Sequence, residues 1–549
     1  MNLRGFLREA ANRPVLCCLV LSPILLSVQA FVGLHTAVYQ GDCSPIFLME
    51  ARRMLAGEVI YRDFFEQAFP GTTLVYLGLF RVFGIRAWIP DLAWVLLGTG
   101  LACVVVAIAK RIVDGPLALL PGVLFLAFAF STEPDPTHHW YATLAAMGAL
   151  ALLIRKRTSW RIAAAGALCG LSACFTQPRG ASAALGIALF LLWEAYVKKQ
   201  PWKELLWREV RLMGSSLAVV IPTAAYFLAK AGIRRFLFCT IVFPMKYFNK
   251  HYWNTPQVYL SEVPLQAGWV RIPAVCIWVS MHLLVPAIYL VLLVRGWQQA
   301  QGQQEDAWDP FMLLSLFGLS LFAGVAYSAS WLRLCSVSLP AMILLVWLIR
   351  RSGRLQRVAR IVLWSAALAI LMFQGFTTQL DGRGFLDSPL GRITFDDSAR
   401  YAKFQWLANH TDPGDWLFEA DDSDVYYPLD LRNPSGAPFL TSSAFTRPDQ
   451  VQDAKDALER YRVRFVLWSV WLDVPKPRPG HNPDPTFNGA QLEPLRAYLR
   501  EQYHPIAAFT DDAFQQVWER NGSEDGSPRR FALGSVTQRA GYADNLRGP

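Results

Sequence analysis

Polar and apolar residues alternate along this chain in blocks rather than one by one. Apolar runs approaching the roughly 20 residues a helix needs to cross a bilayer recur at 15–34, 88–109, 115–131, 140–154, 161–176, 181–197, 212–230, 269–294, 310–327, 334–349 and 361–376, with polar loops between them. The pattern predicts a polytopic α-helical membrane protein with about eleven transmembrane helices. A further apolar stretch, Thr73 to Phe83, is too short to cross and ends at Gly84, so it is expected to lie at the interface. From residue 377 onward Asp, Pro, Gly and Asn become frequent and no apolar run reaches spanning length. Here "GDWLFEADD", "VRFVLWSVWLDV" and "FQQVWER" predict strands, while "RPDQVQDAKDALERY" and "GAQLEPLRAYLREQY" predict amphipathic helices. The expected organisation is a membrane domain at 1–376 and a small α/β domain at 377–549, frayed beyond about Gly522.

Composition agrees: 53% of residues are hydrophobic and only 17% charged, an unusual balance for a water-soluble chain. The net charge of +10 would suit nucleic acid, but no basic patch with interleaved aromatics exists. Instead the basic residues gather in loops such as "RKRTSWR", "KKQPWKELLWREVR" and "RRSGRLQRVAR". Placing these loops in the cytoplasm orients the chain. Arg4, Arg8 and Arg13 then stay inside, ahead of an uncleaved first span. Residues 35–87, "TEPDPTHHW", "TQPRG", 231–268, "SASWLR" and the C-terminal domain face outward, extracytoplasmically. All nine cysteines precede residue 336, which leaves the outer domain without a disulfide, and no zinc-type Cys/His spacing is present.

The most polar stretch of the first third is "YQGDCSPIFLMEARRMLAGEVIYRDFFEQAFPGT", residues 39–72. Ser44 and Pro45 read as a helix start and Gly57 as its stop, giving an amphipathic helix on the membrane surface with Arg52 and Arg53 at its dipole-matched end. Asp42 stands just before that N-terminus, where the partial positive charge favours the ionised form a base requires. Bland readings stand beside these: Asp42 as a loop acid or cap, Asp135 as turn chemistry between two prolines, His138 and His139 as interfacial hydrogen-bonders, Arg333 as a snorkelling side chain. The aromatic residues of 243–253 form an interface belt or a lid.

The run "ARRMLAGEVIYRDF" followed by "FPGTTLVYLGLFRVFG", with an Asp shortly after the first span, resembles the first outer loop of the GT-C superfamily of membrane glycosyltransferases. Within it the bacterial branch of lipopolysaccharide-modifying enzymes, aminoarabinose transferases of lipid A and protein mannosyltransferases is most similar. Some relatives carry paired acids where this chain has Asp42 alone before Cys43, and commonly two prolines where it has "FPG". The resemblance implies an inverting glycosyltransferase at the outer face of the cytoplasmic membrane, moving a sugar from a polyprenyl-phosphate donor to an acceptor hydroxyl on lipid A or core saccharide, an envelope glycan or a protein. It implies Asp42 as general base, Asp135 as a second catalytic carboxylate, and Arg62 beside the donor phosphate. Arg179, Lys246, His251 and Arg333 are further candidates by placement, Asp63 and Glu66 are expected to support Arg62, and His138 and His139 stand ready beside Asp135. A divalent metal ion is compatible with this set without being required by it. A polymerase or ligase using the same donor is the near alternative. A transporter or flippase is the distant one, because the only ionisable residues noted within the spans, Asp91 and Glu194, lie close to span ends.

Overall fold

In the computed structural model the described residues are 13–33, 35–39, 41, 44–261, 271–300, 305–353, 355–380, 384–475, 486–510 and 514–522. The chain is largely α-helical and membrane-embedded, with a small sheet-containing C-terminal unit. Among the described residues five helices are long and apolar enough to cross a membrane: Ile89–Ala109, Gln177–Val197, Trp202–Ala231, Val275–Gln299 and Gln356–Leu380. Trp331–Val337 and Leu339–Arg350, bent by 60°, form a sixth if taken together. The other expected spans coincide with shorter helices, Pro14–Ala30 and Ser159–Phe175 among them. Residues 115–131 are broken into a 3-10 turn, the helix Leu120–Phe125 and a π turn. Full spanning length is therefore met at fewer places than about eleven.

Packing within the bundle follows small residues. A Cβ on Gly166 or Gly170 would sit 2.2 or 2.3 Å from backbone oxygens of Leu212 and Ser216, so "GALCG" seats the helix Ser159–Phe175 directly on Trp202–Ala231. At the end of the bundle carrying the basic loops, Glu194 and Asp309 are buried and paired with Arg157, Lys198 and Arg208, with Arg208 to Glu194 at 2.7 Å and Lys198 to Asp309 at 2.9 Å. Glu194 is thus a structural pin at a helix end.

Strands β1 (Phe31–Val32), β2 (Thr36–Val38), β3 (Gly384–Ser388) and β4 (Gly391–Phe395) form one sheet in the order β1-β2-β4-β3. In it β2 pairs in parallel with β4, Ala37 opposite Ile393. The first outer loop and the start of the C-terminal unit are therefore one sheet, which the sequence reading did not anticipate. Strands β5 (Leu417–Glu419), β6 (Phe465–Ser469), β7 (Tyr503–Ala508) and β8 (Gln515–Arg520) form the second sheet, ordered β5-β6-β8-β7. Helices Ser398–His410, Pro448–Arg460 and Glu493–Gln502 complete this unit. The expected strands and helices of this region are all present at the quoted segments. The expected frayed end beyond Gly522 lies outside the described residues.

The helix Ser44–Leu55 is where expectation and structure part. Rather than leaving one apolar face open, it is enclosed by protein: Phe47, Leu48, Met49 and Ala51 are buried in one cluster with Tyr76, Leu77 and Phe80 and with Tyr426, Leu429 and Leu431 of the C-terminal unit. Apolar side chains ring this helix, so protein must cover more than one face. The helix Gly71–Phe83 takes the peripheral role, with Val82 and Phe83 exposed beyond a buried face of Thr73, Tyr76 and Phe80.

Candidate active site

Two prolines lock the second outer loop around Asp135, and the turn is closed by Asp135 N–H donating to Glu133 O and Thr137 N–H to Asp135 O, both at 2.8 Å. Asp135 is 4% exposed, and both of its carboxylate oxygens accept from the backbone N–H of Ser44 at 3.2 Å. The N-terminus of Ser44–Leu55 is therefore capped from another loop, while the buried Ser44 hydroxyl has no hydrogen-bond partner among the described residues. This corrects the expectation of a Ser44 side-chain cap: the first N–H of the helix is satisfied by the Asp135 carboxyl from another loop. Asp42 itself lies outside the described residues, two positions before Ser44.

Thr137 then starts the helix His138–Leu153 by accepting from His139 N–H at 3.3 Å. The His138 ring packs against Phe47 (5.3 Å between centroids) and against His139 (4.1 Å). His139 Nδ1 lies 3.4 Å from Arg179 Nη2, and Arg179 Nη1 donates to Thr143 Oγ1 at 2.6 Å. The "TQPRG" segment is not the open loop expected, because the helix Gln177–Val197 begins within it and draws Arg179 in to 4% exposure. No described carboxylate pairs with this guanidinium. Arg333 lies near enough for its charge to act on Arg179, His138 and His139. It also sits in a helix, Trp331–Val337, rather than in a turn, and it donates to Ser328 Oγ and Asn254 Oδ1, each at 2.6 Å, and to Trp253 O at 3.1 Å. Arg179 thus contacts His139 directly, and Arg333 lies within electrostatic range of both histidines.

The remaining candidates fall elsewhere. Arg62 is exposed and held by its neighbour Asp63 at 2.8 Å, a pairing that raises the guanidinium and lowers the carboxyl. Lys246 is exposed with its ammonium over the Tyr247 ring, and His251 packs against Phe445, 5.6 Å between centroids. Glu66 does not support Arg62. It is buried and accepts from the N–H groups of Gln67 and Ala68, both at 2.6 Å.

The partner of Glu66 is Glu50, which the sequence reading passed over. Glu50 is fully buried, accepts from Thr73 Oγ1 at 2.9 Å and lies near enough to the Glu66 carboxyl for the two to interact. Burial first, then the adjacent Glu66 charge, holds the Glu50 carboxyl well above its ordinary range, and burial raises Glu66 as well. Two buried carboxyls that interact in this way favour holding a proton over ionising together. Glu50 stood three positions after Phe47 on a helix whose neighbours are apolar, and that placement was the available signal.

The C-terminal unit closes over the first loop. Arg52 pairs with Asp430 at 2.8 Å and donates to Leu431 O at 2.7 Å, and Arg53 donates to Ser435 O at 2.8 Å. Tyr39 OH donates to Asp424 O at 3.1 Å, and a Cβ on Gly41 would come within 3.1 Å of Asp424 Oδ2. The acidic turn Glu419–Asp424 therefore abuts the residue preceding Asp42. Burial pushes the Glu419 carboxyl up to about 8, and Gln515 Nε2 bridges Glu419 and Asp421 at 3.0 and 2.8 Å. Among the described residues no group of three or more His, Cys, Asp or Glu side chains is arranged to hold a metal ion.

No protein-family model and no curated sequence matches the chain. Solved structures do. ArnT from Cupriavidus metallidurans bound to undecaprenyl phosphate superposes with a TM-score of 0.59 at 12% identity, covering 94% of this chain and 100% of that one. The same protein in the apo state gives 0.53 at 13% identity, over 93% and 98%. At such identity the likeness is one of fold, and it extends over the membrane helices and the C-terminal unit together.

Proposed function

We propose that the chain is a glycosyltransferase that moves a sugar from a polyprenyl-phosphate donor to an acceptor hydroxyl, at the face of the cytoplasmic membrane that carries the C-terminal unit. The observation that carries this reading is Arg179: a guanidinium buried without a described carboxylate, within electrostatic range of a second cation, Arg333. Burying an unmatched charge is costly unless a ligand supplies the counter-charge. A phosphate that gains negative charge as its bond to the sugar breaks is such a ligand. The matched fold includes a protein solved with undecaprenyl phosphate, which agrees with a lipid-phosphate donor.

The chemistry follows. Asp42, ionised ahead of the helix Ser44–Leu55, takes the proton of the acceptor hydroxyl. The oxygen attacks the anomeric carbon, the bond from that carbon to the phosphate oxygen breaks, and the configuration inverts. Arg179 and Arg333 receive the charge on the departing polyprenyl phosphate. Asp135 holds the N-terminal end of the helix that follows Asp42. Arg62, facing solvent against Asp63, is left out of the phosphate site. No step is routed through a metal ion.

The test is to incubate the purified chain with a panel of polyprenyl-phosphate sugars and extracted envelope acceptors, with and without chelator. Transfer from such a donor supports the reading. Consumption of nucleotide sugars with no transfer from any lipid-linked donor overturns it.

A further inference from the structure

A cavity lies at the far end of the bundle. The helix Ile89–Ala109 begins beside the C-terminal unit, where Ala87 N–H donates to Leu390 O. It runs for about 30 Å, at 1.5 Å per residue, to Lys110. Just beyond, a cavity of about 540 Å³ is lined by Leu117, Arg350, Arg357, Arg360, Ile361 and Trp364. It therefore sits on the membrane face opposite Asp135. Its arginines come from two helices, Leu339–Arg350 and Leu355–Leu380.

Charge and shape in this cavity do not balance internally. The one acid on the lining, Asp114, is 84% exposed at its side chain and is engaged by Arg350 at 2.8 Å. Arg360 Nε donates to Gln356 O at 3.3 Å, and neither Arg357 nor Arg360 has a carboxylate partner among the described residues. Below them the outward face of Leu355–Leu380 is a continuous apolar strip, with Ile361, Val362, Leu368, Met372 and Phe373 exposed. A basic rim above an apolar strip, at the level where helices leave the bilayer, matches a phosphate attached to acyl chains.

We propose that this cavity binds the headgroup of an anionic glycerophospholipid from the leaflet opposite the candidate active site. Arg357 and Arg360 take the phosphate, for which a guanidinium offers two parallel donors. Leu117, Ile361 and Trp364 receive the glycerol and the first acyl carbons. The volume is in the range of small-molecule sites.

Native mass spectrometry of the full chain in detergent, offered equal amounts of phosphatidylglycerol and phosphatidylcholine with the same acyl chains, tests the proposal. Wild type is expected to retain phosphatidylglycerol about tenfold over phosphatidylcholine, which corresponds to about 1.4 kcal/mol. Arg357→Gln with Arg360→Gln should bring that preference near parity, while Arg295→Gln, outside the cavity, should leave it intact. Gln356→Glu, nearly isosteric, places a negative charge on the same lining and should lower the preference even where the double variant fails to fold. No preference in wild type, or one that survives both cavity variants, overturns the proposal. Displacement of the lipid by millimolar inorganic phosphate would assign the site to free phosphate and overturn it equally.

Discussion

Asp135 accepts the backbone N–H of Ser44 with both carboxylate oxygens, at 3.2 Å each, so the second outer loop caps the helix that follows Asp42. A single residue thereby holds the N-terminal end of the helix that follows the proposed base. Asp135→Asn keeps an acceptor but removes the charge at the helix N-terminus, at a cost of about 1 kcal/mol in stability. Turnover should fall by about 100-fold, because a misaimed base loses more than a missing cap does. Asp42→Asn should abolish transfer while donor binding is retained. Thermal unfolding, donor affinity and single-turnover transfer measured on both variants separate aiming from proton removal, and an Asp42→Asn protein with unchanged turnover would remove Asp42 from the mechanism.

Arg179 offers the opposite signature. A structural ion pair, once broken, destabilises the fold, whereas replacing an unmatched buried charge with an apolar side chain of similar length relieves it. Arg179→Met loses the bond to Thr143 Oγ1 but should leave the melting temperature unchanged or higher without donor. Its affinity for a polyprenyl phosphate should drop at least about tenfold, since a charge-assisted hydrogen bond is lost. A fall in stability with unaltered lipid affinity would make Arg179 a scaffold residue.

Arg52 and Asp430 join the first loop to the C-terminal unit through an ion pair with 17% and 26% side-chain exposure. Arg52→Ala also releases Leu431 O and Asp430 O, so the junction should weaken by about 1–3 kcal/mol, with the partly exposed ion pair contributing little of it. Hydrogen exchange should rise in residues 426–436 first. Transfer should fall with it, because Asp424 reaches Gly41 only while the unit is seated.

Much of this was legible in the sequence, and the parts that were not share a physical origin. Apolar runs placed Ile89–Ala109 and the part of Trp202–Ala231 from residue 212 onward, though the first turns of that helix read as a basic loop, and a short continuous apolar run and a period-3.6 pattern placed β6 and Pro448–Arg460, because those signals are local. The parallel pairing of β2 with β4 joins residues more than 350 positions apart, and three-residue strands carry almost no periodicity. Arg52 and Arg53 read as complements to a helix dipole, and Arg62 as a phosphate ligand, because charge is visible in a sequence while its partner is not. Arg179 was singled out by placement alone, and its burial depends on a helix that starts within "TQPRG". Glu50 carried only a weak signal, its place among apolar neighbours, because an acid there reads as an exposed face until a second acid is found against it.

Glu50 and Glu66 supply a pH dependence whose sign can be worked out. Burial holds both carboxyls above their ordinary range, so the folded state binds protons that the unfolded chain has already released. Where the folded state holds more protons, stability falls as pH rises. The pair's contribution is complete below the unfolded carboxylate pKa and is lost as pH climbs through the raised folded values. Glu50→Gln places a permanent donor and acceptor where the shared proton sits. The variant should melt near the wild-type temperature in mild acid and above it in alkali, with a flatter dependence of melting temperature on pH. Glu419→Gln, in the acidic turn beside Gly41, should flatten the same curve around pH 8, where that carboxyl titrates. Melting curves of the three proteins from pH 5 to pH 9 decide the matter, and a Glu50→Gln curve parallel to wild type throughout would show that the pair holds no proton.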